Sequence, residues 1–170
     1  KGNLYHEQRV FYKTGELEKE AIRKVKHIIG RTSWDRAYTW AINSDLKYHV
    51  CNETLREEFY DGATWNYEKC TPYTIFLSQG SYPFKGLHQL LKAMPLILKQ
   101  YPETTVRIAG YDITKSNGIS NLIHFTGYGK IVKQLIKKLH LKNKIKFLGP
   151  LNSEEMKAEY LRSNIFICPS

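Results

Sequence analysis

The chain of 170 residues, 42% of them hydrophobic, has room for one ordinary domain or parts of two and can bury a core, which excludes a disordered protein. Lysine and arginine outnumber acidic residues by 26 to 16, and the net charge of +10 favours an anionic partner: nucleic acid, a membrane surface or a phosphate-bearing substrate. Three widely spaced cysteines predict neither a disulfide framework nor a zinc knuckle, so we expect a cytoplasmic protein. The sequence has no apolar run of about 18 residues and no apolar signal core at its start, so neither a membrane span nor a secretory signal is expected.

The first third of the sequence alternates helical and strand patterns. Thr14 and the acidic residues after it are typical of a helix start, and apolar residues then follow at helical spacing. Thr32 and Asp35 offer side-chain oxygens that can cap the next helix. The predicted elements are a helix at 14–27, a strand at 27–30, a helix at 34–42, a strand at 48–51 and a helix at 52–60.

The periodicity disappears in the segment "DGATWNYEKCTP", residues 61–72. A stretch without helical or strand spacing between two patterned regions is typical of a linker between domains. We therefore predict a first domain over residues 1–62, a linker over 63–73 and a second domain over 74–170.

The second region has a regular rhythm of apolar strands and amphipathic helices. Strands are predicted at 74–79, 104–110, 144–149 and 164–170, and helices at 86–100, 129–140 and 153–163. Apolar strands that alternate with helices indicate a parallel sheet with right-handed crossovers, which is the doubly wound α/β, Rossmann-like architecture. Ligands of such sheets bind beyond the carboxyl ends of the strands.

The turn "SQGSYPFKG" joins the strand at 74–79 to the helix that follows it. Gly80 and Gly86 let the backbone approach a ligand closely, and the start of the helix points its amide donors toward the same crevice. Lys85 would stand beside this anion site and could hold a diphosphate. Considered by itself, a lysine at such a junction is more often an ordinary solvated residue.

The order of parts from residue 74 onward carries a resemblance. "TIFLSQGSYPFKGLHQLLKAMPLILKQYPETTVRIAG" holds a strand, Lys-Gly, a helix, a Pro-containing turn and a strand that ends in Ala-Gly. "IKFLGPLNSEEMKAEYLRSNIFICPS" holds Phe-Leu-Gly, a polar helix and an apolar strand that closes on Pro-Ser. This order resembles the C-terminal nucleotide-binding domain of the group 1 glycosyltransferases, the retaining family 4 enzymes of the GT-B fold. "HIIGRTSWDRA" and "YHVCNETLREEFY" resemble the end of the N-terminal, acceptor-side domain of that family, less specifically.

The resemblance implies roles for named positions. Lys85 matches the lysine that grips the donor diphosphate, and Tyr111 follows the Ala-Gly pair that ends in Gly110, beside the donor site. The nucleobase would lie along a segment listed here: Gly149, Pro150 and Leu151. Gly80 stands five positions before Lys85, where the family commonly has an arginine, so one of the two usual cations is missing.

The catalytic residues are expected elsewhere. The family's pair of glutamates lies beyond its Pro-Ser, and this sequence stops at Ser170, so no catalytic residue is assigned within it. The resemblance implies transfer of a hexose from a nucleotide-diphosphate sugar to an acceptor hydroxyl, in surface polysaccharide or glycolipid biosynthesis, with no metal and no cofactor. A non-catalytic nucleotide-binding or interaction module and an epimerase of related fold remain alternatives.

Lysines are concentrated between Lys115 and Lys146, where the sequence has eight of them and no acidic residue. In "KIVKQLIKKLHL" the apolar residues form one stripe and the lysines occupy the other side, so a sheet-covering helix with a solvated face is the favoured interpretation. Contact with the inner face of a membrane is the alternative. Because no RNA-type aromatic motif accompanies the lysines, nucleic acid is not expected as a partner.

The helix at 34–42 contains further candidates. Asp35 and Arg36 could contact the acceptor, although a cap and a surface cation are the favoured interpretations. Trp34 and Trp40 are expected to pack in the core, with sugar stacking as the alternative.

Overall fold

The structure, a computed structural model, describes residues 3–115 and 127–169, with the side chains of residues 3–5 and 7 left out. It divides into two compact units, Lys1–Leu55 and Arg56–Ser170. The division therefore falls earlier than the predicted domain end at residue 62. Residues of the predicted linker 63–73 belong to the second unit, because Trp65 Nε1 donates to the carbonyl oxygen of Ser163 (2.8 Å) and the Cys70 side chain is buried.

The first unit contains two helices and a two-stranded parallel sheet. Its elements are α1 (Asn3–Lys24), β1 (His27–Gly30), α2 (Ser33–Ile42) and β2 (Lys47–Val50). The predicted cap is confirmed: Asp35 N donates to Thr32 Oγ1, and Thr32 N donates back to the Asp35 carboxylate. The predicted start of the first helix at Thr14 is wrong, because Thr14 lies inside α1.

The helix predicted over residues 52–60 is also wrong. A single 3₁₀ turn at Glu57–Phe59 is the regular structure that this fully described segment contains. Contacts with the rest of the second unit determine its path: Arg56 Nη1 donates to Ser153 Oγ (2.9 Å), and Lys157 Nζ donates to the carbonyl oxygens of Glu58 and Asp61. These carbonyl groups are thus bound by a lysine and not by helical amides.

The second unit is a doubly wound parallel sheet, as predicted. Its strands are β3 (Thr71–Leu77), β4 (Thr105–Ala109), β5 (Ile145–Gly149) and β6 (Ser163–Phe166), and its helices are α3 (Leu87–Gln100), α4 (Gly127–Lys138) and α5 (Ser153–Arg162). The strand order is β5-β4-β3-β6, and every pairing is parallel. Two crossovers run outward from β3 through β4 to β5, and the third returns to the other side of β3.

The core of the second unit lies on both faces of this sheet. Alternate residues of β3 and β4 point to opposite faces. Ile75 and Val106 pack with the buried side chains of α3 and α4, whereas Phe76 packs against Tyr160 of α5 with ring centroids 5.1 Å apart. The pattern explains why the strands read as nearly continuous apolar runs.

Within the described residues, no helix combines the length and the hydropathy that crossing a membrane requires.

Candidate functional site

A crevice is expected between the carboxyl ends of β3 and β6, where the order of the strands reverses. The connection after β3 leads to one face of the sheet and the chain reaches β6 from the other face, so the segments after these strands diverge at this edge. Gly86, at the end of the segment after β3, lies against Pro169, which follows β6. We call the carboxyl ends of the four strands, together with the segments that follow them, the carboxyl edge.

Gly86 is required by the backbone of the carboxyl edge. Its φ of +71° lies in the left-handed region, and it both ends the 3₁₀ turn Pro83–Lys85 and begins α3. An added Cβ would lie 2.7 Å from Pro169 Cγ and 2.8 Å from the Pro169 carbonyl oxygen. A residue other than glycine is therefore disfavoured at position 86 for two independent reasons, the positive φ and the collision of a Cβ with Pro169.

Lys85 is half-buried beside Gly86 and is the cation of the loop at residues 78–86. Its Nζ lies 5.3 Å from the centroid of the Phe84 ring, and no carboxylate among the described residues pairs with it. An ammonium that has an aromatic neighbour but no counter-ion is available to an anionic ligand.

The start of α3 is bridged to α4. The backbone amide of His88 donates to the Tyr128 hydroxyl (3.3 Å), and the same hydroxyl lies 3.2 Å from His88 Nδ1. Burial raises the pKa of Tyr128, which keeps the hydroxyl neutral. One amide donor of the first turn of α3 is therefore already used inside the protein, which leaves more of the anion binding to Lys85.

The structure explains why glycine replaces the arginine expected five positions before Lys85. Gly80 is buried, and an added Cβ would lie 2.6 Å from Ile108 Cγ2 and 3.1 Å from Leu87 Cδ2. With this backbone, a longer side chain at position 80 would collide with the core. The missing cation thus follows from close packing of the loop onto β4 and α3.

The ends of β4 and β5 meet beside this loop. Gly110 N donates to the Gly149 carbonyl oxygen (2.8 Å), and both glycines have positive φ, +99° and +83°. An added Cβ on Gly110 would lie 3.0 Å from Ser81 Oγ, so the segment after β3 reaches β4 as well. Tyr111 follows with 73% of its surface exposed, and Pro150 is exposed after β5.

The carboxyl edge therefore collects the predicted donor residues of the second unit: Gly80, Lys85, Gly86, Gly110, Tyr111, Gly149, Pro150 and Leu151. Their roles in binding remain predictions. Sequence reasoning missed Ser81 and Pro169, although each adjoins a predicted residue or motif, and the convergence of parallel strand ends could have indicated both.

Asp35 and Arg36, the predicted acceptor-side residues, are engaged within the first unit. The Asp35 carboxylate accepts from the Thr32 hydroxyl (2.7 Å) and the Tyr48 hydroxyl (2.8 Å), and these hydrogen bonds hold the pKa of Asp35 well below its usual range. Arg36 lies over the Trp40 ring at 5.0 Å. Their contact with an acceptor remains a prediction.

Core packing is the wrong expectation for Trp34. Its side chain is 72% exposed and stacks on Tyr38, with ring centroids 5.4 Å apart and an angle of 5° between the planes. Trp40 is partly exposed and donates from Nε1 to the carbonyl oxygen of Leu46 (3.3 Å). The indoles cover the surface of α2, where one turn separates Trp34 from Tyr38.

Comparison with known proteins adds two findings. Residues 65–170 match the family model described as "Glycosyl transferases group 1". The fold is similar to a crystal structure of a variant of S. aureus TarM in complex with fondaparinux, alpha-GlcNAc-glycerol and UDP, with a TM-score of 0.59 and 12% identity. It is similar to a second crystal structure of TarM with a TM-score of 0.56 and 13% identity.

Each likeness covers 90% of this chain and 26% of the TarM chain, so the sequence spans about a quarter of those proteins. At these identities the likeness concerns the fold, and it agrees with the doubly wound α/β architecture. No curated protein sequence matches this chain.

Proposed function

The chain belongs to the group 1 glycosyltransferases, and from this premise we propose that the protein transfers a hexose from a nucleotide-diphosphate sugar to an acceptor hydroxyl. We further propose that it is a retaining, family 4 enzyme of the GT-B type that uses no metal and no cofactor. The observation that carries the proposal is Lys85, an ammonium with no carboxylate partner among the described residues, at the strand-order reversal of the sheet.

The chemistry assigned to the carboxyl edge is stabilisation of a leaving group. When the bond between the sugar and the diphosphate breaks, negative charge develops on the diphosphate. Lys85 and the amide donors at the start of α3 would neutralise that charge, a role that a divalent cation fills in other transferases. The presence of UDP in the TarM structure supports a nucleoside diphosphate as the ligand of this edge.

The remaining residues of the edge would hold the nucleoside. Because Gly110 and Gly149 have no side chains, a ligand can approach the backbone at the ends of β4 and β5, where the Gly110 amide is bonded to the Gly149 carbonyl oxygen. Tyr111 presents an exposed ring that can cover the base or the ribose. Pro150 and Leu151 extend this surface along the segment after β5.

The first prediction concerns Lys85. A nucleoside diphosphate at about 100 times its dissociation constant should stabilise the protein by about 2.7 kcal/mol, and Lys85→Ala should remove most of this effect because the diphosphate loses its counter-ion. Thermal unfolding with UDP, GDP and ADP measures it. Lys92→Ala, which removes an exposed lysine of α3, is the matched control. Equal shifts in the wild type and the Lys85 variant would exclude the assigned role.

The reaction products distinguish the proposed transferase from the two alternative functions. A non-catalytic module binds the nucleotide and releases no sugar, an epimerase changes the donor sugar without an acceptor, and a transferase requires an acceptor hydroxyl. Incubation of a labelled nucleotide sugar with and without glycan acceptors, followed by NMR of the anomeric proton, distinguishes the three and reports retention directly, when the protein assayed also carries the segment after Pro-Ser in which the glutamate pair is expected.

The acceptor is proposed to belong to a surface polysaccharide or a glycolipid, with the protein in the cytoplasm and α4 in peripheral contact with the inner face of the membrane. The basic side of α4 supports this placement: the helix carries Lys130, Lys133, Lys137 and Lys138 and no acidic residue. Nucleic acid is not proposed as a partner.

A further inference from the structure

A pocket of the second unit lies away from the carboxyl edge, toward the amino ends of β3, β4 and β6. Its volume is about 380 Å³, within the range of about 300–1,000 Å³ that is usual for small-ligand sites. Its polar lining consists of Tyr67, Tyr73, Thr74, Tyr101, Thr104 and Asn164. Tyrosines from the segment before β3, from β3 itself and from the end of α3 thus meet around one cavity.

Two of the tyrosine rings that line this cavity, which we call the tyrosine pocket, are in contact with each other. Tyr73 and Tyr101 stack with centroids 6.0 Å apart and an angle of 30° between their planes, and both rings are about half exposed. The hydroxyls of Tyr67, Tyr73 and Tyr101 make no hydrogen bond with the described residues. Apolar ring faces and unused hydroxyls are therefore both available to a ligand.

The lining determines which ligand class fits. None of the described side chains around the pocket is charged, in contrast to the carboxyl edge with Lys85, so a phosphate, a nucleotide or a uronic acid would find no counter-ion. The rest of the lining is mixed: Ile75, Ile97 and Ile165 supply apolar surface, and Thr74, Thr104 and Asn164 supply polar atoms. Thr74 Oγ1 donates to the Pro72 carbonyl oxygen (3.4 Å), and Asn164 makes a long contact, 3.5 Å, to Cys70 Sγ. A neutral pyranose, with apolar C–H faces and a rim of hydroxyls, matches such a lining.

We propose that the tyrosine pocket binds a neutral hexose unit of a glycan, as a site separate from the donor edge. The inference rests on the proposed function only for the choice of a glycan as the ligand. A glycan held there would anchor a polymeric acceptor to the same unit that binds the donor, and would raise the local concentration of acceptor ends.

Tyr73 has an unusual backbone conformation at the rim of the pocket. Its φ of +56° lies in the left-handed region, which costs a residue with a side chain about 1–2 kcal/mol. Glycine would remove that cost, yet the position holds a tyrosine whose ring is 46% exposed. The left-handed residue lies where the pairing of β3 with β6 shifts register between Thr71 and Ile75, and the ring it carries stacks on Tyr101 beside the pocket, half exposed and within reach of a ligand.

Titration calorimetry tests the proposal with maltotetraose, cellotetraose and chitotetraose as neutral probes and a heparin tetrasaccharide as the anionic one. At least one neutral probe should bind, and Tyr101→Ala and Tyr73→Gly should each weaken it about tenfold. Tyr12→Ala, which removes an exposed ring of α1, should leave binding unchanged. The Tm of the Tyr73→Gly variant should change little, because relief of the left-handed backbone offsets the lost stacking on Tyr101 and the greater freedom of the unfolded chain.

Three results would overturn the proposal: binding of none of the neutral probes, binding that the tyrosine variants do not weaken, or a large fall in Tm for Tyr73→Gly with unchanged affinity. Should Tyr101→Ala fail to fold, Tyr67→Ala, whose ring is 71% exposed, replaces it. The UDP shift measured on the same variants separates this proposal from the first. A normal UDP shift without oligosaccharide binding rejects the tyrosine pocket alone, and the reverse rejects the donor edge alone.

Discussion

Glu159 joins α5 to the sheet through a bidentate ion pair with Arg107 of β4. Arg107 Nε and Nη2 each donate to a Glu159 carboxylate oxygen at 2.6 Å, and both side chains are largely buried. The hydrogen bonds from Arg107 lower the pKa of Glu159 against the opposing effect of burial. A pair of this kind adds little over an apolar contact, but the loss of one partner leaves the other buried and uncompensated.

Glu159→Gln should therefore lower the free energy of unfolding by about 3 kcal/mol near pH 7. A carboxyl group with a lowered folded pKa contributes stability above its unfolded value, about 4.3, and loses it as pH falls through the folded value. The difference between wild type and variant should hence shrink below about pH 4. Urea unfolding from pH 3 to pH 8 measures this. A pH-independent difference would contradict it, and Glu154→Gln, which changes an exposed carboxylate of the same helix, is the control.

Substitution by alanine should change the free energy of unfolding in opposite directions at Gly86 and at Gly15. Gly86→Ala places a side chain at φ +71° and within 2.7 Å of Pro169 Cγ, so we expect a loss of at least about 1 kcal/mol. Gly15→Ala, inside α1 with nothing within 4 Å of the added methyl, should gain about 0.5–1 kcal/mol. Thermal unfolding of both variants checks the signs, and a neutral Gly86→Ala would show that the loop relaxes at little cost.

Single residues also mark the limit of sequence reasoning about the site. Lys85 and the glycines could be placed at the carboxyl edge, because parallel strands put the turns after them at one edge. Tyr73 and Tyr101 could not be paired in advance, since their contact depends on the left-handed backbone at Tyr73 and on where α3 ends. The expectation that Trp34 packs in the core was wrong, because an aromatic residue type alone does not determine burial.

At the scale of elements, the spacing of apolar residues predicted the strands and helices of the second unit. The helices of the second unit were predictable because each buries one face, which places its apolar residues at helical spacing. The strands were predictable because the sheet is covered on both faces, which makes them short apolar runs. Residues 52–60 carry acidic and apolar residues that suit a helix, but the contacts of Arg56 and Lys157 with neighbouring elements determine a different path. Such tertiary contacts leave no periodic trace in a sequence.

The helix α4 carries the clearest charge asymmetry. Residues 87–100 and 127–149, which include α3 and α4, contain no acidic residue, whereas α5 begins with Glu154 and Glu155. Val132 is fully buried, so the sheet uses the apolar side of α4, while Lys137 and Lys138 remain exposed. The fold thereby gathers positive charge on one side of the second unit, which suits a negatively charged surface.

Replacing Lys137 and Lys138 by glutamine should weaken binding to anionic vesicles about tenfold or more, since each lysine near such a surface contributes about 1 kcal/mol. Replacing Lys19 and Lys24 of α1 by glutamine changes the net charge equally and is the control. Co-sedimentation with phosphatidylserine and with phosphatidylcholine vesicles, at near-physiological salt, measures the difference. Tight binding to duplex or single-stranded oligonucleotides without a lipid preference would contradict membrane contact.

At the scale of the whole molecule, buried area is distributed unevenly. Most buried apolar residues of the second unit form one cluster around β3 and β4 that includes Leu77, Leu91 and Ile108, and Phe76 is buried on the opposite face of the sheet. Among the described residues of the first unit, Thr39 and Leu46 are the buried ones. Because burial of apolar surface is the main source of folding free energy, the two units should differ in stability.

Hydrogen exchange should resolve this difference. Amides of β3 and β4, paired on both sides within the sheet, should exchange only through global unfolding of their unit. Amides of β1 and β2, in a two-stranded sheet with exposed side chains such as Ile29, should exchange at least about tenfold faster, a gap of about 1.4 kcal/mol. Exchange measured by mass spectrometry on peptides that cover each strand gives both rates. Equal protection in β1 and β3 would mean that the first unit draws stability from a source other than its own buried side chains, and would contradict the argument from burial.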